Sequence, residues 1–153
     1  MRAITIHQPY ASLIARGEKT VELRSWRTHH RGPLLVHAGL TRRADALRAI
    51  DLRTLDMPRG CLLCVVDLLD CVPATREHFR LGWAPDSEPA GFAWVVRRLY
   101  SVERKAWQGK QGFMEAPDAQ IVRVPTPASE SPSGVSEVPS LWNGRTLVQN
   151  PAA

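Results

Sequence analysis

The sequence predicts an α+β fold, a small mixed β-barrel of five to six strands with two or three helices at its mouth. Segments with the apolar patterns of strands outnumber the two segments with helical periodicity. These segments do not alternate regularly along the chain, which argues against a doubly wound parallel sheet. The 153 residues are enough for one domain with a hydrophobic core.

The first elements are short and closely spaced. Residues 3–7 alternate as a strand, and Pro9 and Gly17 bracket a helix over residues 9–16. Proline favours the first turn of a helix, and glycine favours the position just beyond its end. Residues 17–26 then alternate again, which predicts a second strand.

The middle of the chain carries a further helix and the most apolar strand. Residues 34–38 predict a strand, after which Thr41 is in position to cap a helix over residues 42–55. Residues 61–72 predict the central strand, in which Asp67 is an unexpected charge.

The last third is less regular. Residues 73–91 contain several prolines and glycines and predict a long, mobile connection. Strand patterns return over residues 92–100 and 120–124. We therefore expect a folded domain over residues 1–125 and a flexible, Pro/Ser-rich tail over residues 126–153.

Charge indicates a polyanionic partner. The net charge is +5, and 17 of the 20 basic residues are arginines, which suit phosphate binding and base stacking. A GC-rich genome that favours arginine codons would give the same ratio. No apolar run approaches the roughly 20 residues of a membrane span, and no signal peptide is recognisable, so we expect a cytoplasmic protein without membrane contact.

Three cysteines include one C-x-x-C pair, Cys61 and Cys64. A metal site of this type needs a second pair of ligands, and the sequence provides none. Residues three apart on a strand face opposite sides of it, which also argues against shared ligation. We predict buried structural thiols, with no metal and no cofactor.

Several blocks of the chain resemble one family. Gly17, Lys19, Glu22 and Arg24 fit the pattern G-x-K-x-x-E-x-R, which is the hallmark of the ASCH (activating signal cointegrator homology) domain. Three later blocks resemble that family in the same order: residues 31–38, 58–61 and 109–112. The resemblance extends from about residue 3 to about residue 124. It implies a β-barrel related to the PUA fold, with a cleft between the first helix and the barrel.

The resemblance also implies a function connected with RNA. Family members are generally viewed as RNA-associated, small bacterial members hydrolyse the acetyl amide of acetylcytidine, and other members are described as ribonucleases. The amidohydrolases carry a threonine nucleophile where this chain has Glu22. A carboxylate does not replace an alkoxide in the same acyl transfer, although it can act as a base on water.

The motif residues allow two kinds of chemistry. Glu22 can hydrogen-bond a base edge while Arg24 or Lys19 holds a phosphate. Alternatively, Lys19 beside Arg24 has a lowered pKa and acts as a base. A structural Glu–Arg pair on a solvated strand is the third interpretation.

Candidate residues follow from these considerations. Histidines supply bases and aromatic rings supply stacking faces, although a histidine in a strand is more often packed than catalytic, and the core interpretation of Trp94 is slightly favoured. The predicted catalytic residues are Lys19 and Glu22, and the predicted substrate- or RNA-binding residues are His7, Gln8, Tyr10, Arg24, Trp26, His37, Trp94 and Lys110.

The leading hypothesis is an RNA-binding domain whose cleft accommodates a nucleotide or a modified nucleoside. A second hypothesis is a hydrolase at the same cleft. It would be a metal-independent ribonuclease, since no carboxylate pair has metal-binding spacing, or an amidohydrolase of acylated nucleosides. The third is a protein-interaction module of the coregulator type. Whether the chain is an enzyme stays open at this point.

Overall fold

A computed structural model describes residues 1–43, 55–84 and 87–125. The strands are β1 (Arg2–Gln8), β2 (Val21–Arg24), β3 (Gly32–Arg42), β4 (Cys61–Pro73), β5 (Phe92–Val102), β6 (Phe113–Glu115) and β7 (Arg123–Val124). The helices are α1 (Tyr10–Ala15), α2 (Arg76–Leu81) and a 3₁₀ turn over Asp118–Gln120.

The seven strands of the described residues belong to one mixed sheet in the order β2-β5-β4-β3-β1-β6, with β7 added to the end of β5. The pairing of β1 with β3 is parallel, and the other pairings are antiparallel. Among the described residues no backbone pairing joins β6 to β2, so the barrel-like sheet is open. The expected α+β class with a small mixed barrel is confirmed, with one or two more strands than the sequence suggested.

Long central strands are buried on both faces. Leu34 and Val36 of β3 pack into a cluster that contains Trp94, whereas Leu35 packs into a second cluster with Val65 of β4. Strands covered on both sides have no polar face, which explains why the sequence of β4 is nearly continuously apolar. The charge of Asp67 is accommodated in β4 because Arg97 lies directly across on β5, with 2.9 Å between Arg97 Nη2 and Asp67 Oδ2.

Two strand predictions were longer than the strands observed. Residues 17–20 form the turn after α1 rather than the start of β2, which covers only Val21–Arg24. Near the end, Asp118–Gln120 forms the 3₁₀ turn, and only Arg123–Val124 pairs as a strand. The short strand β6 was not predicted.

Two predictions about helices and loops need correction. Thr41 and Arg42 continue β3, so Thr41 does not cap a helix, and residues 44–54 of the predicted helix lie outside the described residues. The connection over residues 73–91 contains α2. Thr75 and His78 cap this helix reciprocally, a role for which glutamate or glutamine is the usual partner, so the sequence signal was weak.

The three cysteine thiols are buried and free. The prediction that Cys61 and Cys64 face opposite sides was wrong, because both pack into the same hydrophobic cluster. The β3–β4 register shifts between Val36 and His37, which interrupts the alternation of β4 between the two cysteines. Burial raises the pKa of the Cys64 thiol to about 12, as expected for a packed, unreactive group.

No helix in the described part of the chain is long and apolar enough to cross a membrane. The predicted tail, residues 126–153, lies outside the described residues. The division into a domain and a tail therefore stays a prediction, as does the cytoplasmic location.

Candidate functional site

A cleft of about 340 Å³ opens beside α1. Its walls come from β1, α1, the turn after α1, β2, the residue after β3 and the segment after α2. The lining residues are Thr5, His7, Tyr10, Lys19, Glu22, Leu23, Arg24, Arg43, Gly82 and Ala84.

The turn after α1 directs Lys19 into this cleft. Gly17 has a φ of +78°, a left-handed conformation that glycine adopts without the steric cost of a Cβ. The backbone N–H groups of Glu18 and Lys19 then both donate to the carbonyl of Leu13, at 3.0 and 3.1 Å. The glycine of the motif therefore ends the helix, and the lysine follows on the inner side of the turn.

Lys19 is the most buried charged group of the site, with only 3% of its surface exposed. Its Nζ donates to the carbonyls of Val21 and Gly82, at 2.6 and 2.8 Å, and lies 4.9 Å from the centre of the Tyr10 ring. Burial lowers the pKa of Lys19 below its ordinary value of 10.5, and the attraction of Glu22 opposes this shift only in part.

Glu22 lies between two cations. Its Oε2 atom is 3.3 Å from Lys19 Nζ, and its Oε1 atom is 3.1 Å from Arg24 Nε. Arg24 also donates from Nη2 to the backbone carbonyl of Thr5, at 2.8 Å, which fixes the guanidinium against β1. Since only 8% of Glu22 is exposed, this cluster is not the solvated ion pair that the sequence left as an alternative.

The rim of the cleft carries more accessible groups. His7 and Arg43 are exposed, and Tyr10 is half-buried. The backbone N–H of Arg43 donates to the carbonyl of Gln8 at 2.8 Å, which places the end of β3 beside the end of β1. The cleft thus has buried charged side chains at its bottom and an imidazole, an aromatic ring and a guanidinium at its opening.

Five of the ten predicted residues line the cleft: His7, Tyr10, Lys19, Glu22 and Arg24. Gln8 lies behind it, fully buried, where its side chain accepts from the Ser12 N–H at 3.0 Å and donates to the Pro58 carbonyl at 2.7 Å. These bonds join β1 to α1 and to the segment before β4.

His37 supports the cleft wall from behind. Its Nε2 donates to the carbonyl of Trp107 at 3.0 Å, and its Nδ1 accepts from the hydroxyl of Thr5 at 3.1 Å. Burial lowers the pKa of His37, in keeping with a neutral ring in this arrangement. Gly109 packs on the same ring, and a Cβ there would lie 2.6 Å from Cε1 of His37.

The remaining predicted residues do not line the cleft. Trp94 is 1% exposed and packs edge-to-face with Trp26, with 4.6 Å between their ring centres, so neither ring lines the cleft. Lys110 is exposed and borders a separate groove beside Trp107. The packed alternative for Trp94 therefore agrees with the structure.

Sequence reasoning missed five lining residues: Thr5, Leu23, Arg43, Gly82 and Ala84. Strand alternation places Thr5 on the same side of β1 as His7, so this residue was within reach of the sequence pattern. Arg43 and the two residues after α2 reach the cleft only through tertiary packing.

Comparison with known proteins points to one family. A sequence model described as the ASCH domain matches residues 4–114, a segment that contains the whole G-x-K-x-x-E-x-R pattern. The chain is 42% identical over 89 residues to activating signal cointegrator 1 of Homo sapiens, covering 50% of this chain and 15% of that protein. It is 40% identical over 141 residues to the Mus musculus protein of the same name, covering 73% of this chain and 24% of that protein. The chain thus spans a quarter or less of the length of these relatives.

Solved structures agree on the fold. The ASCH protein of Zymomonas mobilis superposes with a TM-score of 0.51 at 14% identity, covering 78% of this chain and 89% of that one. Its S128A mutant superposes with the same TM-score at 12% identity and the same coverage. The sequence model, which matches well over half of the chain, establishes that the chain belongs to the ASCH domain family.

Proposed function

We propose that this chain is an RNA-binding ASCH domain whose cleft accommodates a nucleotide or a modified nucleoside. The observation that carries the proposal is the buried Lys19–Glu22–Arg24 cluster at the base of a cleft of about 340 Å³. Ligand sites range from about 300 to 1,000 Å³, so this cleft suits one nucleoside unit rather than a larger ligand.

Each lining group has a role in this proposal. Each carboxylate oxygen of Glu22 contacts one cation, Oε2 that of Lys19 and Oε1 that of Arg24. Because a carboxylate offers about four lone pairs, Glu22 can still accept a hydrogen bond from a nucleobase. Tyr10 offers a ring on which a base can stack. Arg43 lies at the opening, where a phosphate would leave the cleft.

The test measures RNA binding and RNA integrity together, in wild type and in Lys19→Ala, Arg24→Ala and Arg27→Ala, over a series of salt concentrations. Arg27 is an exposed arginine outside the cleft lining and serves as the control for the loss of one charge. Salt-sensitive binding of intact RNA, weakened in the two cleft variants and unchanged in the control, supports the proposal. Absence of binding in a folded wild-type protein contradicts it and directs the search to free nucleosides.

A second candidate is a hydrolase at the same cleft, and one observation favours it. Burial lowers the pKa of Lys19, whose Nζ lies 3.3 Å from Glu22, so this amine releases its proton more readily than an exposed lysine does and can then act as a base. In a metal-independent ribonuclease this base would act on a ribose hydroxyl while Arg24 and Arg43 hold the phosphate. In an amidohydrolase of acylated nucleosides, Glu22 would act as a base on water.

Glu22→Gln separates the hydrolase from the binding domain, because it keeps the shape of the side chain and removes its charge. A hydrolase predicts that turnover of RNA or of an acylated nucleoside disappears in this variant while binding persists. The coregulator-type interaction module, favoured by the names of the curated relatives, predicts instead that Lys19→Ala and Arg24→Ala leave RNA affinity unchanged.

A further inference from the structure

Three chain segments meet beside the opening of the cleft. Gln8 at the end of β1 is in register with Arg42 at the end of β3. The Gln8 side chain donates to the carbonyl of Pro58, which leads into β4 through Arg59 and Gly60. The end of β3 and the entry to β4 therefore form one continuous surface with the cleft wall.

This surface exposes one apolar side chain and two basic ones. Leu40 is 73% exposed, the highest value among the large hydrophobic side chains of the described residues. Arg59 Nη1 lies 3.4 Å from the Leu40 carbonyl, and a Cβ on Gly60 would lie 3.0 Å from Leu40 Cδ2. We name Leu40, Arg42 and Arg59 the strand-end patch.

The arginines of the strand-end patch differ from most of the other exposed arginines. Arg31, Arg97 and Arg104 each have a carboxylate within 3 Å. Within the described part of the chain, neither Arg42 nor Arg59 has a carboxylate within ion-pair distance, and both are exposed. Their charges are therefore available to an external anion.

The patch is continuous with the cleft. Arg43, the residue after Arg42, lines the cleft, and so does His7, the residue before Gln8. A Cβ on Gly39 would lie 3.4 Å from His7 Nδ1, so the residue before Leu40 touches the same rim. A strand of nucleic acid that left the cleft past His7 and Arg43 would meet Leu40 and the two arginines next.

We infer that the strand-end patch binds single-stranded RNA that flanks the nucleotide in the cleft, with Arg42 and Arg59 on phosphates and Leu40 against one base. This inference rests on the proposed function and extends it from one nucleotide to a short strand. Two cations on one surface with an exposed apolar side chain match the combination of charged backbone and apolar base faces in a single strand. A free phosphate or a lone nucleoside would use only part of this surface.

The experiment compares two probes, a nucleoside monophosphate and a single-stranded RNA of eight nucleotides. The variants are Arg42→Ala, Arg59→Ala and Leu40→Ser, with Arg27→Ala as the control and Arg24→Ala as the cleft variant. Arg27 lies at the far end of the sheet, since the N–H of the next residue, Thr28, donates to the thiol of Cys71 near the other end of β4. Thermal melting confirms that each variant is folded.

We expect the octanucleotide to bind wild type more tightly than the monophosphate does. Arg42→Ala and Arg59→Ala each reduce the slope of log K against log salt by about 0.7, the value for one phosphate contact on a single strand, which weakens binding about fivefold at 0.1 M salt. Leu40→Ser weakens octanucleotide binding and leaves the slope unchanged. None of the three changes the affinity for the monophosphate, and Arg27→Ala changes neither affinity.

Two results overturn the inference in distinguishable ways. If Arg42→Ala and Arg59→Ala bind the octanucleotide as Arg27→Ala does, while Arg24→Ala binds it more weakly, the patch has no RNA role and the cleft proposal stands. If folded wild type binds neither probe, the proposed function fails and the inference fails with it.

Discussion

The Nζ atom of Lys19 lies 3.3 Å from the Oε2 atom of Glu22, and both side chains are almost completely buried. Lys19 also donates to two backbone carbonyls, so its ammonium group is held by fixed acceptors rather than by water. Burial penalises the charged amine more than the attraction of Glu22 compensates, and the pKa of Lys19 falls as a result.

This shift makes stability depend on pH in the alkaline range. In the unfolded chain Lys19 holds its proton up to about its ordinary pKa of 10.5, whereas in the folded protein it releases the proton at lower pH. The unfolded state then binds more protons, so the contribution of Lys19 to stability rises with pH up to that value and is lost as pH falls through the folded pKa.

The measurement is urea unfolding of wild type and Lys19→Met at pH 7, 8, 9 and 10. We expect the free energy of unfolding of wild type to rise with pH relative to that of Lys19→Met, because all other titrating groups are common to both proteins. A parallel pH dependence in the two proteins would show that the folded environment does not shift this lysine.

A substitution at Gly109 tests how tightly the loop before β6 packs on the cleft wall. A Cβ at this position would lie 2.6 Å from Cε1 of His37 and 2.7 Å from Oγ1 of Thr5, and His37 is itself fixed by two hydrogen bonds. We expect Gly109→Ala to lower the free energy of unfolding by about 1–3 kcal/mol, as for other overpacked sites.

The neighbouring exposed Lys110 provides the control, since Lys110→Ala removes a surface side chain and should change stability by no more than about 0.5 kcal/mol. Urea unfolding of both variants decides the point. Equal stability of Gly109→Ala and Lys110→Ala would mean that the loop moves away from His37 without cost.

Local signals predicted the part of the site that the chain forms locally. Gly17 ends α1 and directs Lys19 inward through bonds to Leu13, all within seven residues, and the alternation of β2 places Glu22 beside Arg24. A resemblance carried by these same positions therefore pointed to a real cluster. Residues 17–24 needed no knowledge of the tertiary fold.

Tertiary packing determined the features of the site that local sequence patterns could not predict. Trp94 and His37 have residue types that suit a binding site, but pairing across the sheet buries Trp94 against Trp26 and locks His37 between Thr5 and Trp107. No local pattern distinguishes a packed aromatic or imidazole from one in a cleft. The approach of the Gly82 segment to Lys19 is likewise invisible in sequence, since 63 positions separate them.

The predicted domain end at residue 125 can be tested by truncation. The last described strand, Arg123–Val124, pairs with the end of β5, and the described side chains of both core clusters come from earlier positions. We expect a chain ending at Pro125 to retain the melting temperature and the urea midpoint of the full chain. As a control, a chain ending at Gln120 lacks β7 and should melt at a lower temperature. A large loss of stability in the first truncation would show that residues 126–153 contribute to the folded domain.

The buried His37 predicts a loss of stability in acid. Its Nδ1 accepts from Thr5 and its Nε2 donates to Trp107, so a second proton on the ring would break the bond to Thr5. Burial lowers the pKa of His37 below its ordinary value of 6.5, so the unfolded chain binds this proton at a higher pH than the folded protein does. The contribution of His37 to stability is therefore fully present above pH 6.5 and is lost as pH falls below that value. Burial lowers the pKa of His78 as well, and this residue contributes with the same sign.

His37→Gln separates the contribution of His37 to acid sensitivity from that of His78. His29→Gln, at an exposed position, is the matched control. Urea unfolding at pH 7 and pH 5 should show the same loss of free energy between the two pH values for wild type and His29→Gln, and a smaller loss for His37→Gln. If His37→Gln loses as much as wild type, His78 alone carries the acid sensitivity, and the hydrogen bond between His37 and Thr5 survives protonation through a rotated hydroxyl.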